Sequence, residues 1–353
     1  MNTSTAVVMP GLIEPTGLLV EERDLPVPGA GQALVRVEAT GVSFAEQQMR
    51  RGKYYDQPSF PFVPGYDLVG TVEATGDGVD PAMIGRRVAA VVKTGGWATH
   101  LLIDATHLVP VPAGVDPADA ETVIVNGITA WQMLHTVARV RRGQTIVVLG
   151  ANGGVGSTLV QLAADAGVTV IGTASVRHHD HVRSLGATPV DYRAPDLTDR
   201  LRALAPDGVD AVFDHVGGPG LQDSWSLLRR GGTLVSYGSA ATKDDAGKSQ
   251  LPVLALFGRV LLWNLLPNGR RAHFYNFWAG RRLRPARFYR RLSDDLTQVL
   301  DRLAAGTLTA QVAARLPLVE AGRALALAES HTVAGKVVLL PTTTPGHGGQ
   351  RTL

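Results

Sequence analysis

The chain has 353 residues, enough for two domains with cores of their own, and 45% hydrophobic against 18% charged residues is an ordinary α/β composition. It contains no cysteine, which excludes disulfides, a thiol nucleophile and a thiolate zinc site. A net charge of +3 carries no overall signature of a polyanion binder, and no nucleic-acid partner is expected.

Met1 to Gly11 lacks the basic and apolar regions of a secretory signal, so a cytoplasmic location is expected. Residues 5 to 122 carry short alternating runs at Leu34 to Glu38, Leu68 to Glu73, Arg87 to Val92 and Ala98 to Ile103, bounded by glycine and proline. Such runs predict a β-rich domain of small sheets or a partly open barrel. From Pro117 the pattern turns helical. Asp116 can cap a first helix over 117–121, with proline tolerated in its first turn, and a second helix spans Gly127 to Val137.

Thr145 to Leu149 is a β-branched run that breaks into glycines and continues as a helical pattern from Ser157 to Ala164. A strand turning into a helix through glycines leaves N–H groups free to face an anion. The spacing is Ala151-x-Gly153-x-x-Gly156, with alanine at the first position of the strict dinucleotide fingerprint. A second strand, Thr169 to Thr173, follows at the distance a βαβ unit requires. Ala151, Gly153, Gly154, Val155 and Gly156 are therefore cofactor-binding candidates. Strands at Pro189 to Asp191, Ala211 to Asp214 and Thr233 to Gly238 alternate with helices at His179 to Leu185, Leu197 to Leu204 and Leu221 to Leu228. Alternation of this kind predicts a doubly wound parallel sheet, the Rossmann arrangement.

Beyond Gly238 a polar stretch, Ser239 to Ser249, looks loop-like. The most apolar run, Leu251 to Leu266, includes Pro252 and Arg259 and falls short of the ~20 residues that span a bilayer, so it is expected to be buried or interface-forming. Between Arg270 and Arg291 there are eight arginines and no acid. That segment suits a solvated face or cofactor phosphates, or else an acidic partner, a membrane surface or nucleic acid. A strand is expected near Ala272 to Trp278, a long helix over Pro285 to Ala305 and a last strand over Lys336 to Leu340. Residues 342–353 form a polar tail expected to be flexible.

Cofactor choice turns on the end of the second strand. Sites for NAD place an acid there, on the ribose hydroxyls. Here the run is Thr173-Ala174-Ser175-Val176-Arg177, with no acid until Asp180. A carboxylate would repel a 2′-phosphate, whereas Ser175 and Arg177 can donate to it, so NADPH is the expected cofactor. The other reading of Arg177 is a surface charge beside a permissive site. His178, His179 and His181 fall next to this position and are read as solvated residues at a helix start rather than as metal ligands.

Ala39-Thr40-Gly41-Val42-Ser43, Arg51-Gly52-Lys53-Tyr54, Pro61 to Asp67, Gly85-Arg86-Arg87-Val88, Gly95-Gly96-Trp97-Ala98, Gly127 to Ala130, Gly150 to Gly156, Leu185-Gly186-Ala187 and Gly335-Lys336-Val337 form an ordered set. As a set they resemble the medium-chain dehydrogenase/reductase superfamily, and more narrowly its zinc-free, zeta-crystallin-like quinone oxidoreductase branch. The fit is weakest over residues 240–290. The resemblance implies a GroES-like catalytic domain, 1–122 with 285–341, and a Rossmann dinucleotide-binding domain, 123–284. It also implies a homodimer, since chains of this branch use a strand in the 240–290 region for pairing.

Where the zinc enzymes of the superfamily carry a cysteine this chain has Ser43, and where they carry a histidine it has Tyr66. Zinc prefers thiolate and imidazole, so no catalytic metal is expected. The resemblance implies that Ser43, Tyr54 and Thr129 surround the nicotinamide and substrate. Tyr54 would be a hydrogen-bond or proton donor, or else a lining aromatic; Ser43 would be functional or merely a small residue in the vacated metal position. By the same resemblance Asn126 contacts substrate or cofactor or caps a helix, Tyr192 joins Ser175 and Arg177 at the adenosine phosphate, and Lys336 lies near the cofactor. The backbone of Asp214 to Gly218 would approach the ribose.

Without a Lewis acid, alcohol oxidation lacks support, whereas hydride delivery to an already electrophilic acceptor needs mainly positioning and hydrogen bonds. The expected activity is NADPH-dependent, zinc-independent reduction of an apolar quinone or α,β-unsaturated carbonyl. The alternatives are an enoyl-thioester reductase and, outside enzymology, an NADPH-binding module acting on membrane or RNA.

Overall fold

The computed structural model describes residues 3–54, 56–238, 251–330 and 332–341, and the side chains of all of these but 219 and 251–257. Strands, in chain order, are β1 (Thr3–Val8), β2 (Leu19–Asp24), β3 (Gln32–Val42), β4 (Asp67–Thr75), β5 (Arg87–Val91), β6 (His100–Asp104), β7 (Val109–Pro110), β8 (Thr145–Val148), β9 (Thr169–Ala174), β10 (Ala187–Asp191), β11 (Val209–Asp214), β12 (Leu228–Ser236), β13 (Arg271–Phe274), β14 (Val312–Pro317) and β15 (Lys336–Leu340). The expected loop at Ser239 to Ser249 and the tail at 342–353 lie outside the described residues.

The chain divides into two units, Met1–Ile124 with Val312–Leu353, and Val125–Gln311. The first holds a seven-stranded sheet ordered β14-β15-β3-β4-β5-β7, with β6 also on β3, and a two-stranded ribbon of β1 and β2. Most of its pairs are antiparallel, as short strands linked by glycine and proline turns allow. Val35, Val37, Leu68, Val72, Val88 and Ile103 fill one core on this sheet. The expected cap is formed: Asp116 Oδ1 accepts from the N–H groups of Ala118 at 3.0 Å and Asp119 at 3.2 Å.

The second unit is built on six parallel strands in the order β10-β9-β8-β11-β12-β13. The order reverses direction at β8, the first strand of the unit, which opens a crevice beyond its carboxyl end. Ile146, Val148, Val170, Ala211, Phe213 and Val235 face one helical layer, and Val147, Ile171, Val212 and Leu234 the other, where Leu221 packs on them. Both faces of these strands are covered, which is why they are apolar runs rather than alternating ones.

Residues 285–311, expected with the GroES-like part, sit in the second unit instead. The helix Pro285–Ala304 is tied there by Asp295, whose Oδ2 accepts from Gln132 Nε2 at 2.6 Å, and by Phe288 stacked on Trp278. Gly127 completes the contact, because a Cβ there would lie 2.5 Å from Val299. The apolar run after residue 250 is a helix, Leu251–Leu265. Far from being buried within the chain, Leu261, Leu262 and Leu265 are 62%, 57% and 72% exposed. No helix among the described residues is long and apolar enough to cross a membrane.

Candidate active site

In the second unit β8 ends at Val148, and the turn over 149–153 leads into the helix Gly154–Asp165. The turn is pinned to the next strand: Ala151 N donates to Thr173 O at 2.9 Å and Gly150 N to Thr173 Oγ1 at 3.1 Å. Gly150 has a φ of +69°, the left-handed region that glycine enters without cost. Ala151 is tolerated at the first fingerprint position because Gly172 faces it; a Cβ on Gly172 would lie 2.7 Å from that of Ala151. Gly156 lets the helix start pack on the turn, since a Cβ there would be 2.1 Å from Gly150 O. Gly154 lies against the Asn126 amide, which a Cβ would approach to 2.5 Å. Gly153 caps the helix, exposed and without a side-chain cap, and Val155 is half-buried in its first turn. The helix start therefore presents backbone N–H groups and positive dipole beyond the carboxyl end of the central strand.

Two flanks complete this crevice. At the end of β9, Ser175 is buried and Arg177 exposed, and Tyr192 N donates to Ala174 O at 3.3 Å, which brings Tyr192 to the same corner. Arg193 lies over the Tyr192 ring at 5.4 Å. At the end of β11, Asp214 Oδ1 accepts from the N–H groups of Val216 and Gly217, both at 2.8 Å, and Oδ2 from Ser224 Oγ at 2.7 Å. That carboxylate holds the glycine turn in shape. His215 packs on Gly150 through its ring, with Nδ1 3.1 Å from Leu149 O, and burial pulls its pKa below the ordinary imidazole range. Thr129 is buried on the helix Ile124–Trp131.

In the first unit Ser43 caps the helix Phe44–Met49 in a reciprocal capping box with Glu46. Ser43 N donates to Glu46 Oε2 at 2.8 Å, Ser43 Oγ donates to the same oxygen, and Ala45 N donates to Ser43 Oγ at 3.1 Å. Glu46 is fully buried, and burial raises its pKa. The hydroxyls of Tyr54 and Tyr66 are hydrogen-bonded, with the rings edge to face at 6.2 Å between centroids. Thus the two positions that carry ligands in zinc relatives hold a serine engaged by Glu46 and a tyrosine engaged by Tyr54. Among the described residues no group of three or more His, Asp and Glu side chains is arranged to hold a metal.

Lys336 is buried between two carboxyl groups. Its Nζ lies 2.7 Å from Asp67 Oδ2 and 2.6 Å from Glu121 Oε1, with side-chain exposures of 4%, 0% and 0% for the three residues. Burial raises the Glu121 pKa well above the usual carboxyl range, with Asp67 adding to the effect and Lys336 opposing it. Burial alone would lower the lysine pKa, but the two carboxyls outweigh it and raise it. The sequence gives no sign of this triad, whose members are 215 and 269 residues apart from the lysine.

A strand, a glycine turn and a helix at the reversal of a 3-2-1-4-5-6 sheet define a dinucleotide-binding protein. Residues 185–339 match the family described as zinc-binding dehydrogenase, and residues 29–113 the alcohol dehydrogenase GroES-like domain. The synaptic vesicle membrane protein VAT-1 homolog of Danio rerio is 36% identical over 217 residues, 61% of this chain and 45% of that protein. The alignment thus spans about half the length of that relative. A mycobacterial quinone oxidoreductase structure matches with a TM-score of 0.79 at 29% identity, over 96% of this chain and 100% of that one. The structure of mycobacterial Rv1454c complexed with NADPH matches with a TM-score of 0.80 at 29% identity, over the same shares. The chain belongs to the medium-chain dehydrogenase/reductase superfamily, in its zeta-crystallin-like quinone oxidoreductase branch.

Proposed function

We propose that this chain is an NADPH-dependent oxidoreductase that works without zinc and transfers hydride to a quinone or an α,β-unsaturated carbonyl compound. The observation that carries the reading is the glycine turn of β8 flanked by Ser175, Arg177 and Tyr192, with no acid at the end of β9. The turn N–H groups and the helix start suit a pyrophosphate, and Ser175, Arg177 and Tyr192 suit a 2′-phosphate. When bound, NADPH supplies the hydride. Asn126, beside Gly154, and Thr129 are proposed to line the nicotinamide end. Tyr54, its hydroxyl held by Tyr66, is proposed to hydrogen-bond the acceptor oxygen and give it a proton as negative charge develops there. Ser43 is proposed as a second hydrogen-bonding group. Lys336 acts at one remove, its charge spent on holding β15 to Asp67 and Glu121.

Zinc independence is supported by the chemistry of the donor set: Ser43 and Tyr66 offer neither thiolate nor imidazole. The test is NADPH oxidation with a panel of quinones, short enones and enoyl thioesters, each with and without a chelator. Turnover of quinones or enones that survives the chelator is the expected result. Turnover confined to thioesters would shift the substrate class, and loss of turnover with chelator would sink the metal-free reading.

We further propose a homodimer. Among the described residues β13 forms a sheet edge, and the neighbouring helix Leu251–Leu265 exposes Leu261, Leu262 and Leu265. An open edge beside apolar surface is the kind of feature that folded proteins cover. Sedimentation should give twice the 37.3 kDa chain mass, and Leu262→Glu with Leu265→Glu should return the protein to a single chain. A wild-type monomer would remove the proposal.

A further inference from the structure

The corner assigned to the 2′-phosphate contains a group that the cofactor reading has not used. His178 closes the turn Val176–His178 directly after Arg177. Arg177 Nε donates to His178 Nε2 at 3.1 Å. A guanidinium can only donate, so the accepting ring nitrogen carries no proton and the imidazole is neutral. Burial, the Arg177 guanidinium and His181 all act to hold its pKa below the ordinary imidazole range. The remaining charged groups on the adjoining elements are already engaged. Asp180 accepts from Arg183 Nη1 at 2.6 Å, and Asp191 Oδ1 accepts from Arg193 N at 3.1 Å. Arg193 itself donates from Nε to Tyr192 Oη at 3.2 Å. His179 Nε2 lies 3.4 Å from Ala174 O, and Asp196 Oδ1 accepts from Arg200 Nε at 2.7 Å. The corner thus gathers Arg177, His178, His179, His181, Arg193 and Arg200 against three acids, each of which accepts from a neighbouring donor.

We propose that His178 is a titratable ligand of the cofactor 2′-phosphate, so that NADPH binding takes up a proton from solvent and NADH binding does not. This rests on placing that phosphate at Ser175 and Arg177. A phosphate dianion draws the Arg177 fork away from the imidazole, because a charge-assisted bond to phosphate is stronger than one to a neutral nitrogen. His178 Nε2 is then free to accept a proton. The resulting imidazolium faces a dianion on one side, which outweighs the guanidinium on the other. The same logic makes the preference for NADPH over NADH widen as pH falls from about 8.5 toward 7, where the phosphate is still largely dianionic.

Calorimetry on the full chain reads the proton directly. Titrations with 2′,5′-ADP and with 5′-AMP at about pH 7.5, in two buffers of different ionisation enthalpy, give the protons bound per site. The expected result is an uptake of more than about half a proton with 2′,5′-ADP and none with 5′-AMP. His178→Asn should abolish the uptake and weaken 2′,5′-ADP about tenfold while leaving 5′-AMP unchanged. His179→Asn should retain the uptake. Tight binding of 2′,5′-ADP without uptake, or uptake unchanged in His178→Asn, overturns the role of His178 and leaves the phosphate corner standing. No gain of 2′,5′-ADP over 5′-AMP overturns both. None of these readouts depends on turnover, so failure of the reductase reading is seen separately.

Discussion

Lys336→Met should cost the fold about 3–5 kcal/mol near neutral pH, the range expected when one partner of a buried ion cluster is removed. The lysine stands alone between two buried carboxyls, at 2.7 Å from Asp67 and 2.6 Å from Glu121. Burial holds the Glu121 pKa well above the usual carboxyl range, and Lys336 is the cation that opposes that shift. Replacing the ammonium by a thioether of similar length keeps the packing and leaves two buried carboxyl groups without the cation between them. Glu121→Gln, by contrast, keeps an oxygen to accept from the ammonium and should cost less, about 1 kcal/mol. The pH dependence follows from the shifts. The lysine's folded pKa is raised, so its contribution is complete below its unfolded value of about 10.4 and is lost only as pH rises through the folded value. In Lys336→Met the cation that pulls the Glu121 pKa down is gone, so that pKa rises further. A carboxyl with a raised folded pKa favours the fold below its unfolded value of about 4.3 and penalises it as pH rises through the folded one. The deficit should therefore shrink toward about pH 5 and grow toward about pH 8. Urea midpoints at the two pH values check both statements. A deficit under about 1 kcal/mol, or one that ignores pH, would refute the charge arrangement.

What the sequence disclosed and what it hid divide along the range of the interactions. The parallel sheet was legible because each strand of the second unit is a short β-branched run and each helix carries its own periodicity. Thr145–Val148, Thr169–Ala174 and Val209–Asp214 fall within a few residues of expectation. The Asp116 cap and the glycine turn are local too, and both stand where the motif puts them. Val312–Pro317 was not legible: Val-Ala-Ala-Arg-Leu-Pro has no clean alternation, and its pairing with β15 supplies what its composition lacks. The helix Pro285–Ala304 is legible from its own periodicity, but the unit it joins is not, because Gln132 meets Asp295 and Gly127 meets Val299 only through folding. Asp67 and Glu121 look like surface acids in the chain. Their burial becomes visible only when Lys336 is brought to them from 269 and 215 residues away.

Gly153 and Gly156 should separate binding from folding, although both belong to one motif. Gly156→Ala places a methyl where Gly150 O already stands, 2.1 Å from the new atom, with Gly150 C at 2.9 Å. These are backbone atoms that cannot rotate aside, so the turn and the helix must part. The expected cost is about 1–3 kcal/mol of stability together with loss of NADPH binding. Gly153 is different. Its φ of −80° and ψ of 169° suit any residue, and a Cβ there would meet only Gly150 O, at an ordinary 3.4 Å. Nothing in the protein requires glycine at that exposed position, which leaves the approach of a ligand as the reason for it. Gly153→Val should therefore stay within about 1 kcal/mol of the parent in stability, the small loss reflecting a poorer helix cap. Its affinity for NADPH should fall at least tenfold, about 1.4 kcal/mol. Denaturation and direct NADPH titration of the same samples test the pair. Equal losses of stability in the two variants would mean that the fold, not the cofactor, dictates both glycines. Unchanged NADPH affinity in Gly153→Val would remove the pyrophosphate from this turn. The contrast is the sharper measurement, because each variant is the control for the other: one methyl breaks the scaffold, and a larger side chain three residues earlier touches only what the scaffold is there to hold.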